Sequence, residues 1–225
     1  MTERENILGR IREALKANAP APGLQDNAHG TVSAHSTPKQ WLPCVSDDPS
    51  EQLALFAKNA AGLKADFQLL SSADEARQAL VRMRNGEGWK KVACHSGGLT
   101  DPICPVLDLP LLRTDRAYDV NVLEACDAGV SECDALIAQT GTVVVTNRSA
   151  GGRALSVLPP HHVVLARRDQ LLADLPAAFA LLKKKYATGY PSMISFITGP
   201  SRTGDIERIL VLGAHGPKKL TILCF

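Results

Sequence analysis

From about residue 51 onward the chain alternates between two hydrophobic periods, and this alternation limits its fold more than any other feature. Residues 51–62 place Leu53, Leu55, Phe56 and Ala60 at helical spacing, and Asp66 to Leu70 reads as a short strand. Ser72, with Glu75 three residues on, is a capping-box pattern that opens a helix through Arg84. Strands are predicted at Trp89 to His95, Val106 to Leu112, Gly141 to Asn147, His162 to Ala166, 192–198 and 219–224. A helix is predicted from Asp169 to Lys184, with Leu171, Leu172, Leu175, Phe179 and Leu182 on its apolar face, and a shorter one near 204–209. Residues 116–137 follow neither period. Strands alternating with helices imply an α/β domain built on a mainly parallel sheet flanked by helices. Ligands of such sheets bind beyond the carboxyl ends of the strands, where the glycine-rich turns 96–98, 150–152 and 199–204 are expected.

The first 50 residues differ in character. Ile7, Leu8, Ile11 and Leu15 give an amphipathic helix over 5–16, and residues 17–50 carry prolines and glycines among small polar residues, the composition of a linker. The expected organisation is a helical arm with its linker over 1–50 and an α/β domain over 51–225. A helix on such a tether either docks on a partner or folds back on its own domain.

Composition narrows the function classes. The net charge is +2, from 25 basic and 23 acidic residues, so there is no electrostatic case for nucleic acid. No stretch approaches the roughly 18–20 apolar residues of a membrane span, and the charged start lacks a secretory apolar segment, so a cytoplasmic location is expected. Six scattered cysteines without a CxxC pair argue for reduced thiols and against a cluster held by this chain alone. The run Lys183 to Lys185 reads as a solvated helix end.

The stretch Thr198 to Glu207 has the form of an anion-binding loop. A strand stops at Gly199-Pro200, Ser201 and Thr203 place hydroxyls and Arg202 a planar cation at a turn, and a helix start would follow. Alternatively Ser201 caps that helix while Arg202 pairs with Asp205 or Glu207. Thr140, Gly141 and Thr142 offer hydroxyls and close backbone approach, or form a plain turn into a strand. Ser149 to Arg153 reads as a hairpin tip rather than a second anion loop. Of His161 and His162, which face opposite sides of a strand, one is expected buried and the other exposed. His215 is the histidine most suited to acid–base or ligand chemistry, or else a turn residue bonded to backbone. Glu132, Asp134 and Asp205 are the carboxylates available to a stand-alone enzyme. The same strand geometry separates Cys94 from His95 as a nucleophile–base pair, and no metal site is indicated; HExxH, GxSxG, Walker and Rossmann signatures are missing from the sequence.

Three segments carry a resemblance: Thr198 to Pro217, Asp134 to Thr142, and Leu155 to His162. Together they resemble the lactate utilisation protein C family of LUD-domain proteins, over roughly residues 66–225. The resemblance implies a fold like that of ribose-phosphate isomerase, glucosamine-phosphate deaminase and coenzyme A transferase. It also implies a part in oxidising L-lactate to pyruvate beside two iron–sulfur proteins, with no cofactor evident on this chain. In that role Gly199, Ser201, Arg202, Thr203, Thr140, Gly141 and Thr142 would bind a small anion and His215 would carry a proton. Gln139 departs from the Glu that many relatives place before Thr-Gly-Thr. The alternatives are an assembly or regulatory protein of the same system, or a stand-alone enzyme on phosphosugars or acyl-coenzyme A.

Overall fold

The computed structural model describes residues 3–14, 43–203, 211–213 and 215–225. The chain divides into two compact units, residues 1–41 and 42–225. The first is represented by α1 (Glu3–Ala14), with Glu3 and Glu5 in its first turn and Arg12 in its last, the charge order a helix dipole favours. Its Ile7 and Leu8 are exposed. Leu15, Lys16 and the linker up to residue 42 lie outside the described residues, as does the helix predicted over 204–209.

The second unit begins with α2 (Pro49–Gly62), β1 (Asp66–Leu69), α3 (Ala73–Glu87), β2 (Val92–Cys94), α4 (Thr100–Ile103), β3 (Leu111–Arg113), α5 (Val120–Glu124) and β4 (Ala128–Glu132). It continues with β5 (Ala135–Ile137), β6 (Thr142–Thr146), β7 (His161–Ala166), β8 (Leu171–Leu172), α6 (Leu175–Lys185), β9 (Ile194–Ile197), β10 (Arg202–Thr203), β11 (Val211–Leu212) and β12 (Lys219–Cys224). Local chemistry sets the helix starts. Asp48 caps α2 ahead of Pro49, and Ser72 Oγ accepts from Glu75 N at 3.3 Å to start α3. The Glu75 carboxylate reaches back to Ser71 N at 2.8 Å, one residue upstream of the usual capping-box partner.

Six strands form a wholly parallel sheet in the order β1-β12-β7-β4-β2-β3. Its central strand β7 is buried at every position, as a parallel strand covered on both faces must be. One face packs Val92, Cys94, Val130, Val163 and Leu165 against Ala76, Ala79 and Leu80 of α3. The other face, through Val164, Leu220 and Ile222, packs on a second sheet of order β8-β5-β6-β9, whose Val143 and Val145 point inward with Phe56 and Ala60 of α2. Beyond that second sheet, α6 packs Ala178 and Leu182 on Ile137 and Val144. The α/β class with a mainly parallel, helix-flanked sheet is as expected; the second sheet between the parallel one and α6 is an addition.

Three elements differ from the periodicity reading. Leu171 and Leu172 form β8 rather than a helix face, because Asp174 accepts from Ala177 N at 2.9 Å and starts the helix there, with Pro176 in its first turn. Cys104–Leu107 is a 3-10 turn, so the strand foreseen from Val106 shortens to β3. Residues 116–137 hold α5, β4 and β5, each five residues or fewer, too short to show a period.

Candidate functional site

The two sheets part at the amino end of β7 and β12, leaving an open cavity of about 160 Å3. His162 and Leu220 from the parallel sheet and Ser195 and Ile197 of β9 line it, with Ser156, Val157, Ser201, His215, Gly216 and Pro217. The chain holds this rim by backbone bonds. Ser201 N donates to Pro217 O and Gly213 N donates to Ser201 O, both at 2.9 Å. Lys218 N and Lys219 N both donate to Pro160 O, fixing the 215–217 turn over the start of β7.

His162 sits deepest. It is 1 % exposed, and burial pushes its imidazole pKa down to about 3, aided by the neighbouring His161, so the ring is neutral. Its Nε2 bonds Ser131 Oγ at 2.8 Å, while its Nδ1 is buried without a hydrogen-bond partner among the described residues. Such an orphan is uncommon in a folded protein. His161 faces the other side of the strand and is buried too, against expectation: Nδ1 meets Glu87 Oε2 at 3.1 Å and Nε2 meets Thr221 Oγ1 at 2.9 Å. Trp89 packs edge-on against its ring, and this second packed face is why neither histidine reaches solvent.

Of the residues singled out in sequence, the cavity brings together Ser201 and His215. Arg202 and Thr203 instead form β10, paired antiparallel with β11 in a two-stranded ribbon, so they extend a strand rather than sit at a turn. Thr140, Thr142 and Thr198 make a hydroxyl chain, with Oγ1–Oγ1 distances of 2.7 and 2.8 Å. Gly141 and Gly199 have positive φ and press on the end of α2: an added Cβ would lie 2.7 Å from Ala60 N and 2.7 Å from Leu63 O, respectively. Asn59 Nδ2 locks the same turn by donating to Ala138 O and Gln139 O. Gln139 Nε2 donates to Pro43 O at 2.9 Å, a bond a Glu could not make.

The opposite, carboxyl end of the parallel sheet carries the acids. Glu132 Oε1 accepts from Leu99 N, Thr100 N and Thr100 Oγ1 at 2.7–3.3 Å, and a Cβ on Gly97 would fall 2.1 Å from it. Beside it, His95 Nε2 accepts from Glu132 N at 3.2 Å and Nδ1 donates to Ser96 O at 2.9 Å, which assigns the tautomer. Asp134 receives Lys185 Nζ, Tyr186 OH and Ser149 Oγ, each at 2.6 Å. Burial works against its charge, but these three donors outweigh burial and hold the carboxyl below the usual range, which makes it a weak base. Lys185 is therefore an ion-pair partner as well as part of a charged helix end. Gly151 packs beside His95 and Ala150 is buried while Arg153 is exposed, so 149–153 is a partly buried connection between the two sheets rather than a hairpin tip. Among the described residues no three His, Cys, Asp or Glu side chains group as a metal site requires.

The sequence named Ser201 and His215, and His162 only as half of a strand pair, but not Ser156 or Ser195. Ser156 and Ser195 are single hydroxyls in apolar runs, and only the pairing of two sheets brings them together with His162.

The layered parallel sheet, with its Thr-Gly-Thr and Gly-Pro-Ser turns, defines an α/β protein of the LUD domain class. The LUD domain profile matches residues 53–224, and the chain belongs to that family. It is 37% identical over 223 residues to lactate utilization protein C of Halalkalibacterium halodurans, covering 95% of this chain and 94% of that one. The protein of the same name from Geobacillus kaustophilus is 35% identical over 206 residues, 82% of each chain. With that of Anoxybacillus flavithermus the match is 36% over 105 residues and spans 46% of the relative's length. In fold, the chain is similar to a DUF162 family protein of Deinococcus radiodurans, with a TM-score of 0.61, 20% identity, and coverage of 80% of this chain and 99% of that one.

Proposed function

We propose that this protein takes part in lactate utilisation as a non-redox subunit that binds a small anion, while two iron–sulfur partner proteins carry the electrons. The observation that carries this reading is the 37% identity to a lactate utilization protein C along 95% of the chain. The supporting geometry is the cavity at Ser201 and His215, whose walls hold hydroxyl and imidazole groups and no carboxylate among the described residues. Oxidising L-lactate to pyruvate breaks the C2–H and O–H bonds, forms the carbonyl, and releases two electrons and two protons. In this scheme the two electrons would pass to the partners' clusters, His215 would take up one proton at the cavity mouth, and the other would leave to water. The site would be cytoplasmic; no described helix is long and apolar enough to cross a membrane. Arg202 on the ribbon would attract the anion, and Thr140, Gly141, Thr142, Gly199 and Thr203 would shape its approach.

A stand-alone enzyme on phosphosugars or acyl-coenzyme A fits less well, because Glu132 and Asp134 are both already engaged by several donors. An assembly protein acting through α1 is the other reading, favoured by exposed Ile7 and Leu8. Purification of the tagged chain from lactate-grown cells tests the proposal. Co-elution of two iron–sulfur proteins that survives deletion of residues 1–40 is the expected result. Elution alone would contradict the proposal, and co-elution lost with residues 1–40 would favour the assembly reading.

A further inference from the structure

Cys94 and Cys104 lie together, fully buried, in the core that α3 covers, and their thiols share a hydrogen bond. Cys94 ends β2, and Cys104 opens the 3-10 turn that follows α4. The two sulfurs are not equivalent. The bond from Cys104 holds the Cys94 thiol below its ordinary pKa; burial opposes this, and the Arg113 guanidinium assists. Cys104, whose proton sits in that bond, is pushed well up. Burial also raises Cys126, Cys133 and Cys224, so of the buried cysteines Cys94 alone is disposed to ionise. An ionisable thiol beside a protonated one is the arrangement from which a disulfide forms.

The cover over the pair is thin. It consists of α4, four residues long and without a side-chain cap, and the 3-10 turn Cys104–Leu107, with Asp101, Pro102 and Pro105 facing solvent. The segment ends at Asp108, whose φ of +47° lies in the left-handed region that a residue with a Cβ occupies at a cost. Arg113 Nη1 pairs with Asp101 Oδ1 at 2.8 Å, and Arg77 Nε donates to Pro102 O at 3.1 Å. Such surface bonds hold weakly, so the segment opens locally while the sheet stays folded. Opening takes the Asp101 charge, which opposes ionisation of Cys94, away from the sulfur. Arg113, which also donates to His95 O at 2.7 Å, then has the Cys94 thiolate as its counter-charge.

We propose that Cys94 and Cys104 are a peroxide-reactive pair that closes a reversible disulfide and locks residues 100–107 onto the end of β2. The Cys94 thiolate attacks one oxygen of hydrogen peroxide, so an S–O bond forms and the O–O bond breaks. The departing hydroxide takes the proton that Cys94 released and leaves as water, with a sulfenic acid on Cys94. The segment then closes, and the Cys104 sulfur attacks that of Cys94. An S–S bond forms, the S–O bond breaks, and the hydroxide leaves as a second water with the Cys104 proton. The thiol pair gives up two electrons, and the peroxide is reduced by the same two. Leu99 N and Thr100 N, which hold Glu132, adjoin the lock, so it also fixes the loop at the carboxyl end of the parallel sheet.

Peptide mapping of the full chain tests this. The folded, reduced protein is treated with hydrogen peroxide, and its remaining thiols are then alkylated in denaturant. Trypsin releases residues 92–113 as one peptide that carries both cysteines. That peptide should be two hydrogens lighter and unalkylated, with Cys126, Cys133 and Cys224 alkylated, and dithiothreitol should reverse the change. Cys104→Ser should leave a sulfenic acid on Cys94 that dimedone captures, whereas Cys94→Ser should leave Cys104 unmodified. Asp101→Asn, which loosens the cover, should speed bond formation about two- to five-fold, as loss of a surface ion pair does. Full alkylation of both cysteines after peroxide treatment would overturn the proposal. So would a bond to a different cysteine, or one that forms only in denaturant that unfolds the domain. Dimedone capture at Cys104 in Cys94→Ser, none at Cys94 in Cys104→Ser, or an unchanged rate in Asp101→Asn would each do the same. The mapping of the wild-type chain decides the matter even if a variant fails to fold.

Discussion

Replacing Asp134 by Asn keeps the shape of the side chain and removes its charge, so it isolates what the buried carboxylate contributes. The Asp134 side chain is 0 % exposed and its two oxygens take three donors at 2.6 Å. An amide can keep its oxygen toward Lys185 and Tyr186 and turn its NH2 toward Ser149, whose hydroxyl must then reorient. Bonds to a charged group contribute about 1.5–3 kcal/mol each, against about 0.5–1.5 for neutral ones, so Tyr186 and Ser149 each lose about 1 kcal/mol. Lys185 is 47 % exposed, and solvent screening reduces its share to a fraction of 1 kcal/mol. The expected loss is about 2–3 kcal/mol, or roughly 4–12 °C in Tm for a domain of this size. Because the folded carboxyl is held below its unfolded value of about 3.9, the contribution is complete above that pH and disappears as pH falls through the folded value. Calorimetry of both proteins between neutral pH and about pH 3 should show the two melting curves converging below about pH 4. Equal Tm at neutral pH, or a gap that persists unchanged in acid, would refute this account of Asp134.

Other parts of the fold make their own predictions. In Gly151→Ala the new Cβ would lie 2.3 Å from His95 Cβ at a φ of +61°, so a loss of about 3 kcal/mol or more is expected in denaturant unfolding; wild-type stability would contradict the packing described. Gly129→Ala sets a Cβ 2.7 Å from Leu155 O in the middle of the parallel sheet, and about 1–3 kcal/mol should be lost by the same measurement. His162 in the folded state refuses a proton that the unfolded chain accepts below about pH 6.5, so its contribution falls as pH drops from there toward about 3. Stability measured across that window should slope less steeply in His162→Gln than in the wild type. Thiol labelling of the native protein should modify exposed Cys44 first, since the other five cysteines are buried, and rapid labelling of several sites would dispute the core.

Much of this architecture is legible in the residues. The strand over 219–224, the Ser72 start of α3 and the α/β alternation follow from local pattern, because each depends on period or capping within a few residues. What escaped is set by contacts between distant segments. Leu171-Leu172 and Ala135 to Ile137 are two- and three-residue strands that form because β8 pairs with β5 and β5 in turn with β6. The burial of both His161 and His162 required packed faces on either side of β7, and Pro-Pro-His-His carries no sign of the second sheet. The candidate site divides the same way. Ser201 and His215 stand in a recognisable loop, whereas Ser156, Ser195 and His162 meet them through tertiary packing alone. Arg202, the most suggestive residue in the sequence, sits on a ribbon because β11 pairs with it.

The central claim is that this chain is needed for lactate oxidation without carrying the electrons itself. Lactate-dependent dye reduction in extracts lacking only this protein, with purified protein then added back, tests it most directly. The account predicts little reduction without the protein, restoration on add-back, and none from the purified chain alone. Equal reduction with and without it, or dye reduction by the isolated chain, would contradict the account.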